Sequence, residues 1–390
     1  MAFQEIFTYY LPTMVLSGAG ALERLPKELG RLLVHRPCLV TDAGIVKAGL
    51  AEQLLRVLEL AKIPVVLFDG VVGNPLIATV EAVWEAYRKD GCDGILALGG
   101  GSSMDVGKSL AILATNGGQI SQYFGVNKFR EPMAPMVAIP TTYGTGSEVS
   151  NSAVVTDPET HFKHGIVSRF CHPRLAVIEP RLMLRLPAPI AAATGADALT
   201  HAIEAYTNLQ AQPLTDALAL HAVRLISGNL RQAVSNDYNL EATLNMAIAS
   251  TMAGIAFSNA NLGICHSMAH PLGGHLGLHH GLANAIALPH VMEFCLIACP
   301  QRFADIAAAM GEEVRGLTPS VAAASAVTAV RKLLRDVGIP ANLRLAGCSD
   351  EKLQDLVDDA VAMGLHKVNP RRTSREDFVR LFRRAFDAEE

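Results

Sequence analysis

The sequence has few of the features that mark disulfide-rich, nucleic-acid-binding or exported proteins. Its seven cysteines are odd in number and include no Cys-x-x-Cys pair, which argues against a disulfide scaffold or a thiolate zinc site. Only 18% of the residues are charged, and the net charge of −4 comes without any long run of like charge. We therefore expect neither a nucleic acid nor a membrane as a partner.

Patterns for export and membrane insertion are also lacking. The first cation is Arg24, and Glu5 interrupts the N-terminal apolar stretch, whereas a secretory signal needs a basic start and an unbroken apolar segment. Apolar stretches such as 247–257 are shorter than the roughly 20 residues that cross a bilayer. We expect a soluble, cytoplasmic protein.

The first half of the chain alternates short apolar segments with amphipathic helical patterns. The segments predict strands at 37–40, 65–68, 94–98, 136–139 and 175–178, with helices at 50–60 and 77–87. Past Pro187 only helical patterns remain, at 191–206, 215–226, 240–257, 301–310, 321–337 and 375–385. We predict a Rossmann-like α/β domain with a parallel sheet over 1–185, followed by an all-α domain over 186–390.

A glycine-rich loop follows the strand predicted at 94–98. It reads Gly99-Gly100-Gly101-Ser102-Ser103-Met104-Asp105 and leads into a helical pattern. Consecutive glycines let a ligand approach the backbone, and the free N–H groups of a helix start favour a phosphate. The G-x-G-x-x-G fingerprint is not matched, because Met104 stands where it needs its third glycine, and the P-loop pattern is not matched, because Ser102 stands where it needs its first. Ser102 and Asp105 also have the Ser-x-x-Asp spacing of a helix capping box. A glycine turn with this capping box is therefore as good an explanation as a pyrophosphate site.

Two further segments at predicted strand ends favour a nucleotide site. Residues 140–148, Pro-Thr-Thr-Tyr-Gly-Thr-Gly-Ser-Glu, offer four serine or threonine hydroxyls after the strand at 136–139. Asp42 follows the strand at 37–40, where a carboxylate accepts hydrogen bonds from ribose hydroxyls and repels a 2′-phosphate. Each of these two features alone is more typical of an ordinary turn. Together with the glycine loop they lie at three strand ends, which favours a cofactor.

Histidines are concentrated in one part of the second half. Six of the thirteen lie between His266 and His290, and buried imidazoles need partners such as a metal ion. His266 and His280 are separated by about 21 Å along an unbroken helix, so the chain must turn back if they share one ion. The breaks are predicted at Pro271, Gly273, Gly274 and Gly277.

An aspartate and a histidine upstream complete a candidate metal site. Asp197 and His201 are four residues apart in an alanine-rich helical pattern, so they face the same side of the helix. Alone, a solvent-facing pair or a satisfied core histidine is the commoner explanation. Combined with the histidine-rich segment, one carboxylate and several imidazoles favour Fe(II), Zn(II), Mn(II) or Co(II), and the sequence does not select among them.

Four segments, in this order, together resemble the iron-containing (group III) alcohol dehydrogenase family. They are residues 99–105, 140–148, 193–206 with Thr-Gly-Ala-Asp-Ala-Leu-Thr-His-Ala-Ile-Glu-Ala-Tyr, and 263–281. The resemblance extends from about Tyr9 to Arg371. It implies a dehydroquinate synthase-like architecture and a metal-dependent, NAD-linked alcohol dehydrogenase, usually a homo-oligomer of two or more subunits.

The resemblance also implies roles for individual residues. The family's metal ligands fall on Asp197, His201, His266 and His280, while His270 falls on a catalytic histidine that lies near the metal and the nicotinamide without binding the ion. Asp42 matches the position at which family members favour NAD over NADP. The full set of implied cofactor contacts is Asp42, Asn74, Gly100, Gly101, Ser102, Ser103, Thr141, Thr142, Thr145, Ser147, Lys163 and Leu182.

The implied reaction is the interconversion of a short primary alcohol or diol and its aldehyde by hydride transfer, with Fe(II), Zn(II) or another divalent ion polarising the substrate oxygen. Phe257 and Leu262 are candidates for an apolar substrate pocket, and plain packing is equally common for both. The alternatives are a zinc-dependent polyol (glycerol-type) dehydrogenase or a dehydroquinate-synthase-like lyase on the same fold, and a non-catalytic metal-binding relative. The Asp-x-x-x-His helix argues against the first two, and the glycine loop together with four ligands argues against the third.

Overall fold

The computed structural model describes residues 6–159 and 162–387, which group into two compact units. One unit comprises Tyr10–Thr142 and Gly146–Leu184 and contains strands and helices. The other comprises 6–9, Tyr143–Thr145 and 185–387, and its regular elements are helices. An α/β region followed by a helical region confirms the predicted fold class.

The α/β unit is built on a six-stranded parallel sheet. Its strands are β1 (Met14–Ser17), β2 (Pro37–Asp42), β3 (Val66–Val71), β4 (Gly94–Gly99), β6 (Met136–Pro140) and β9 (Leu175–Ile178), hydrogen-bonded in the order β1-β9-β6-β4-β2-β3. All five predicted strands are present, and β1 is an additional edge strand. A smaller sheet, also not predicted, consists of β5 (Gly125–Val126), β7 (Ser152–Thr156) and β8 (Lys163–Val167) in the order β5-β8-β7.

Helices cover both faces of the large sheet. They are α1 (Leu25–Arg31), α2 (Ala43–Lys47), α3 (Leu50–Leu60), α4 (Ile77–Lys89) and α5 (Gly101–Asn116). In β2, Cys38 and Val40 belong to one buried cluster with Leu110 of α5, whereas Leu39 belongs to another with Leu54 of α3. A strand buried on both faces carries a continuous apolar run, which is the pattern that predicted these strands.

The helical unit is organised around one buried helix. Its helices are α6 (Ala188–Thr207), α7 (Pro213–Ser235), α8 (Leu240–Ala260), α9 (Ile264–Leu276), α10 (His280–Cys295), α11 (Pro300–Ala309), α12 (Pro319–Asp336), α13 (Leu353–Ala362) and α14 (Arg375–Asp387). Helix α6 packs against α7, α8 and α10, and every residue from Ala191 to Thr207 is buried. The many alanines of α6 permit neighbours on all sides, because small side chains let helices approach closely.

Helix α8 is longer than the apolar stretch noted in the sequence. Its 21 residues, with a mean hydropathy of 1.3 over the most apolar window, are enough by length and composition to cross a membrane. However, 61% of that window is buried inside the protein, where α8 packs against α6 and α7. Such burial is typical of the core helix of a globular unit.

The chain does turn back between His266 and His280, but the predicted break positions are mostly wrong. Helix α9 continues through Pro271, Gly273 and Gly274 and ends only at Gly277, which adopts a left-handed conformation. Proline inside the helix removes one backbone hydrogen bond. The helix nevertheless continues because it is largely buried and packs against α10 and α13, and tertiary packing overrides local propensity.

Candidate functional site

The four residues implied as metal ligands lie together in the helical unit. Asp197 and His201 face one side of α6, His266 lies in the first turn of α9, and His280 begins α10. The Nε2 atoms of His201, His266 and His280 lie 4.0, 3.8 and 3.8 Å from Oδ1 of Asp197. Three helices thus place three imidazole rings around one carboxylate oxygen, Oδ1 of Asp197.

This cluster fits a divalent ion. Ligand atoms about 2.1 Å from a tetrahedral ion lie about 3.4 Å from one another, so the distances of 3.8 to 4.0 Å from Oδ1 of Asp197 need to shorten only slightly. The ligand atoms of Asp197, His201 and His266 all lie within 4.8 Å of one another. One carboxylate and three neutral imidazoles leave a net positive charge on a divalent ion, which suits an electrophile for an alcohol or carbonyl oxygen.

Burial keeps the imidazole of His266 in the form that a metal needs. His266 is 1% exposed, and burial, reinforced by the neighbouring His201, lowers its pKa to about 3. The ring is therefore neutral at physiological pH, and one nitrogen keeps a lone pair. His280 is more open, with 29% of its side chain exposed, so solvent reaches the cluster from the His280 side.

Helix α10 approaches α6 very closely where the ligands meet. A Cβ added to Gly281 would lie 2.4 Å from the carbonyl oxygen of Ala193 and 3.2 Å from the Cβ of Asp197. Such distances are shorter than van der Waals contact, so any larger residue would push the two backbones apart. Glycine at this position is what allows His280 to reach Asp197.

Two residues that the sequence did not single out also contact the cluster. Nδ2 of Asn284 lies 2.8 Å from Oδ1 of Asp197 and 3.1 and 3.2 Å from Nε2 of His266 and His280. Oε2 of Glu204 lies 2.5 Å from Nδ1 of His266. Helical spacing could have indicated both, because Asn284 is one turn after His280 and Glu204 is one turn after His201 on the same face of α6.

The remaining residues near the cluster have distinct surroundings. Nδ1 of His201 lies 3.1 Å from the carbonyl oxygen of Gly144, and the rings of His201 and Phe257 are 4.7 Å apart. The ring of His270 lies 5.2 Å from that of His280. His279, by contrast, is exposed and immediately precedes α10. Leu262 is half-buried, and its carbonyl oxygen accepts a hydrogen bond from Asn208.

In the α/β unit, the glycine loop joins β4 directly to α5. Gly100 precedes the first helical residue, and no described side chain caps this helix, so the capping box considered from the sequence is not formed. The buried hydroxyl of Ser103 has no hydrogen-bond partner among the described residues. A helix start with uncapped N–H groups and a buried free hydroxyl fits a phosphate group.

Asp42 and Thr142 lie next to this loop. Because β2, β4 and β6 are parallel neighbours, their carboxyl ends, at Asp42, Gly99 and Pro140, meet at one edge of the sheet. A Cβ added to Gly99 would lie 3.6 Å from Oδ2 of Asp42, and one added to Gly100 would lie 3.5 Å from Oγ1 of Thr142. The N–H of Thr141 donates to the carbonyl oxygen of Gly99 at 3.0 Å. This edge therefore brings the glycine loop, a threonine hydroxyl and a carboxylate close together.

The other implied cofactor contacts divide into three groups. Lys163 donates to Oδ1 of Asn74 at 2.8 Å, and burial lowers the pKa of Lys163 to about 8 while Asp105 opposes that shift. Ser147 is buried in the α/β unit, whereas Thr145 lies in the short stretch that groups with the helical unit. Leu182 is 1% exposed and belongs to the apolar core beneath the sheet.

Comparison with known proteins identifies relatives over the whole chain. The model of "Iron-containing alcohol dehydrogenase" matches residues 12–180, and that of "Fe-containing alcohol dehydrogenase family, C-terminal" matches residues 191–386. The 1,3-propanediol dehydrogenase of Citrobacter freundii is 44% identical over 98% of this chain and 99% of its own. The NAD-dependent methanol dehydrogenase of Bacillus methanolicus is 37% identical over 97% and 99%. A crystal structure of 1,3-propanediol oxidoreductase superposes with a TM-score of 0.95 at 43% identity, covering 98% of this chain and all of that one.

Proposed function

The chain belongs to the iron-containing alcohol dehydrogenase family, and from this premise we propose a metal-dependent, NAD-linked dehydrogenase that interconverts a short primary alcohol or diol and its aldehyde. The observation that carries the proposal is the convergence of three Nε2 atoms on Oδ1 of Asp197, at 3.8 to 4.0 Å. Relatives named for 1,3-propanediol and methanol support small primary alcohols as the substrate class.

We assign the metal to the helical unit, with Asp197, His201, His266 and His280 as its ligands. When bound, the divalent ion supplies a Lewis acid that polarises the oxygen of the alcohol or aldehyde. The donor set is oxygen and nitrogen without thiolate, so Fe(II) and Zn(II) both suit it. The buried ligands hold the ion, and the partly exposed His280 leaves one side accessible to a substrate.

We assign NAD to the α/β unit. The loop Gly100–Ser103 receives the pyrophosphate at the start of α5, with Thr141 and Thr142 beside it. Asp42 accepts hydrogen bonds from the adenosine ribose and repels a 2′-phosphate, so NAD is favoured over NADP. Asn74, Ser147 and Lys163 complete the contacts proposed within this unit, whereas Leu182 supports the site from the core.

Within the helical unit, we assign proton transfer to His270. Its ring lies 5.2 Å from that of His280, and the residue is half-buried, so it connects the cluster with solvent. A neutral imidazole can accept the proton that the alcohol loses and return it during aldehyde reduction. We further propose that the protein is cytoplasmic and forms a homo-oligomer of two or more subunits. Light scattering of the purified protein would measure the number of subunits.

Metal removal and reconstitution test this function. The protein would be stripped with a chelator, verified as metal-free by elemental analysis, and supplied separately with Fe(II), Zn(II), Mn(II) or Co(II). NADH formation would then be followed with C2–C6 alcohols and diols, and NADH consumption with the aldehydes.

We expect no turnover without metal and recovery with Fe(II) or Zn(II). His201→Gln should abolish recovery, while His275→Gln should not, because His275 pairs with Asp359 outside the cluster. Full activity in metal-free protein, or no NADH signal with any alcohol and any metal, would contradict the proposal.

A further inference from the structure

Glu204 is a buried carboxylate that none of the roles assigned so far uses. It lies in α6, is 5% exposed, and accepts the backbone N–H of Cys265 on Oε1 at 2.7 Å. Nδ1 of His266 lies 2.5 Å from Oε2 of the same carboxyl group. The nearby backbone N–H groups of Gly263 and His266 act, like that of Cys265, to lower the pKa of Glu204.

This environment fixes the tautomer of His266. Burial raises the pKa of Glu204 to about 7, and the N–H of Cys265 opposes that shift by bonding to the ionised form. In that ionised form Glu204 only accepts hydrogen bonds, so Nδ1 of His266 then carries the proton and Nε2 carries the lone pair. On the other side of the ring, Nδ2 of Asn284 lies 3.1 Å from Nε2, and an N–H donated there matches the same tautomer. Nε2 is the atom that faces Oδ1 of Asp197 at 3.8 Å.

The contact also fixes where α9 begins relative to α6. The first turn of a helix has unpaired N–H groups and a positive dipole end, and the carboxylate of Glu204 occupies that position at the start of α9. A Cβ added to Gly263 would lie 2.8 Å from Oε1 of Glu204, so the glycine leaves room for the carboxylate. His266 is part of this first turn, so the carboxyl group that bonds the N–H of Cys265 also contacts the ring of His266.

His201 provides a contrast within the same cluster. Nδ1 of His201 lies 3.1 Å from the carbonyl oxygen of Gly144, which is neutral. Nδ1 of His266 instead lies against the carboxyl group of Glu204. A carboxylate behind an imidazole orients the ring, fixes its tautomer and raises its basicity toward a metal. Its removal typically lowers metal affinity by about 10- to 100-fold.

We propose that Glu204 is a positioning residue that holds His266 as the Nδ1–H tautomer with Nε2 turned toward Asp197, and thereby strengthens divalent metal binding. The inference rests on the proposed metal-dependent function. A purely structural role, capping α9 without acting on His266, is the competing explanation.

Glu204→Gln separates the two explanations. Glutamine keeps the size and one acceptor oxygen, so it still caps backbone N–H groups, but its amide nitrogen competes as a donor toward His266. The matched control is Glu293→Gln, which removes a carboxylate from α10 that pairs with Arg331 and Arg384 rather than with the cluster.

Two measurements on the purified full-length proteins are needed. Competition against a chromogenic chelator gives the dissociation constant for Zn(II), and NMR of protein with ¹⁵N-labelled histidine reports the His266 tautomer in the metal-free state. Circular dichroism of each metal-free variant verifies folding. If Glu204→Gln does not fold, Gly263→Ala takes its place, because the added methyl displaces the same carboxylate while leaving Glu204 present.

We expect Glu204→Gln to weaken Zn(II) binding by about 10- to 100-fold and to populate the Nε2–H tautomer, with Glu293→Gln unchanged in both. Unchanged affinity, or weaker binding with an unchanged tautomer, would overturn the proposal and leave only the capping role. Failure of the wild type to bind Zn(II), Fe(II) or Co(II) would instead refute the proposed function itself.

Discussion

Gly281→Ala is expected to weaken both the fold and metal binding, because no space exists for a methyl group between α10 and α6. The new Cβ would lie 2.4 Å from the carbonyl oxygen of Ala193 and 2.9 Å from its carbonyl carbon. Both atoms belong to the backbone, so no side chain can rotate to relieve the contact. Relief requires the helices to separate by about 1 Å, since comfortable contacts are about 3.5 Å.

The expected magnitude follows from that displacement. Overpacking of a core typically costs about 1–3 kcal/mol in the free energy of unfolding. His280 is the adjacent residue and would move with the backbone, lengthening its 3.8 Å separation from Oδ1 of Asp197. A ligand displaced by about 1 Å lies outside the bond lengths that a divalent ion accepts, so Zn(II) affinity should fall as well.

Gly228→Ala is the matched control. Gly228 lies inside α7, and an added Cβ there would meet no described atom within 4 Å other than those of its chain neighbours and its own helix backbone. Alanine in a helix interior is more stable than glycine by about 0.5–1 kcal/mol, so this substitution should stabilise the protein. The same chemical change is thus expected to have opposite signs at the two positions.

Urea unfolding of the metal-free proteins, followed by circular dichroism, measures the first effect, and Zn(II) competition against a chelator measures the second. Gly281→Ala should unfold at lower urea than wild type, and Gly228→Ala at slightly higher urea. If Gly281→Ala were as stable as Gly228→Ala and bound Zn(II) like the wild type, the close approach of α10 to α6 would not be what positions His280.

Two further predictions concern the ligands and the cofactor. His280→Ala should lose bound metal and essentially all activity, whereas His270→Ala should keep the metal but turn over more slowly with an altered pH dependence, and His279→Ala should be the mildest of the three. Mass spectrometry measures the metal content of the three variants, and pH–rate profiles measure their pH dependence. Metal lost from His270→Ala but kept in His280→Ala would show that His270, rather than His280, is the ligand. Asp42→Gly should improve the use of NADP relative to NAD, because the carboxylate no longer repels the 2′-phosphate. An unchanged ratio of kcat/KM for the two cofactors would show that Asp42 is not the selector.

The sheet and most helices could be predicted from local pattern alone. Strands such as β4, buried on both faces, give a continuous apolar run, and α3 was predicted with the bounds that the structure has. Strand β1 was missed because it is a short edge strand with mostly exposed residues, and β7 and β8 were missed because they are only partly buried. These strands depend on partners that are distant in sequence.

The metal cluster shows the same limit. The resemblance to a known family indicated its four ligands, and the structure brings them together, but the pattern around Pro271 predicted the wrong breaks. Glu204 follows Asp197 and His201 in a regular helical series, yet a glutamate in a helix is ordinary by itself. Its significance comes from His266, which is 62 residues away in the sequence. Only the close approach of Cys265 and His266, at the start of α9, to Glu204 reveals that contact.

The complete burial of α6 has a consequence for sequence variation in this protein. In a saturation mutagenesis library spanning Ala191 to Thr207, every substituted side chain would be buried, whereas most helices bury only one face. In most helices, positions that tolerate substitution alternate with positions that do not. In α6 we expect no such alternation, and its alanines should be replaceable only by glycine or serine. Efforts to change the activity by mutation would therefore do better to leave this helix intact.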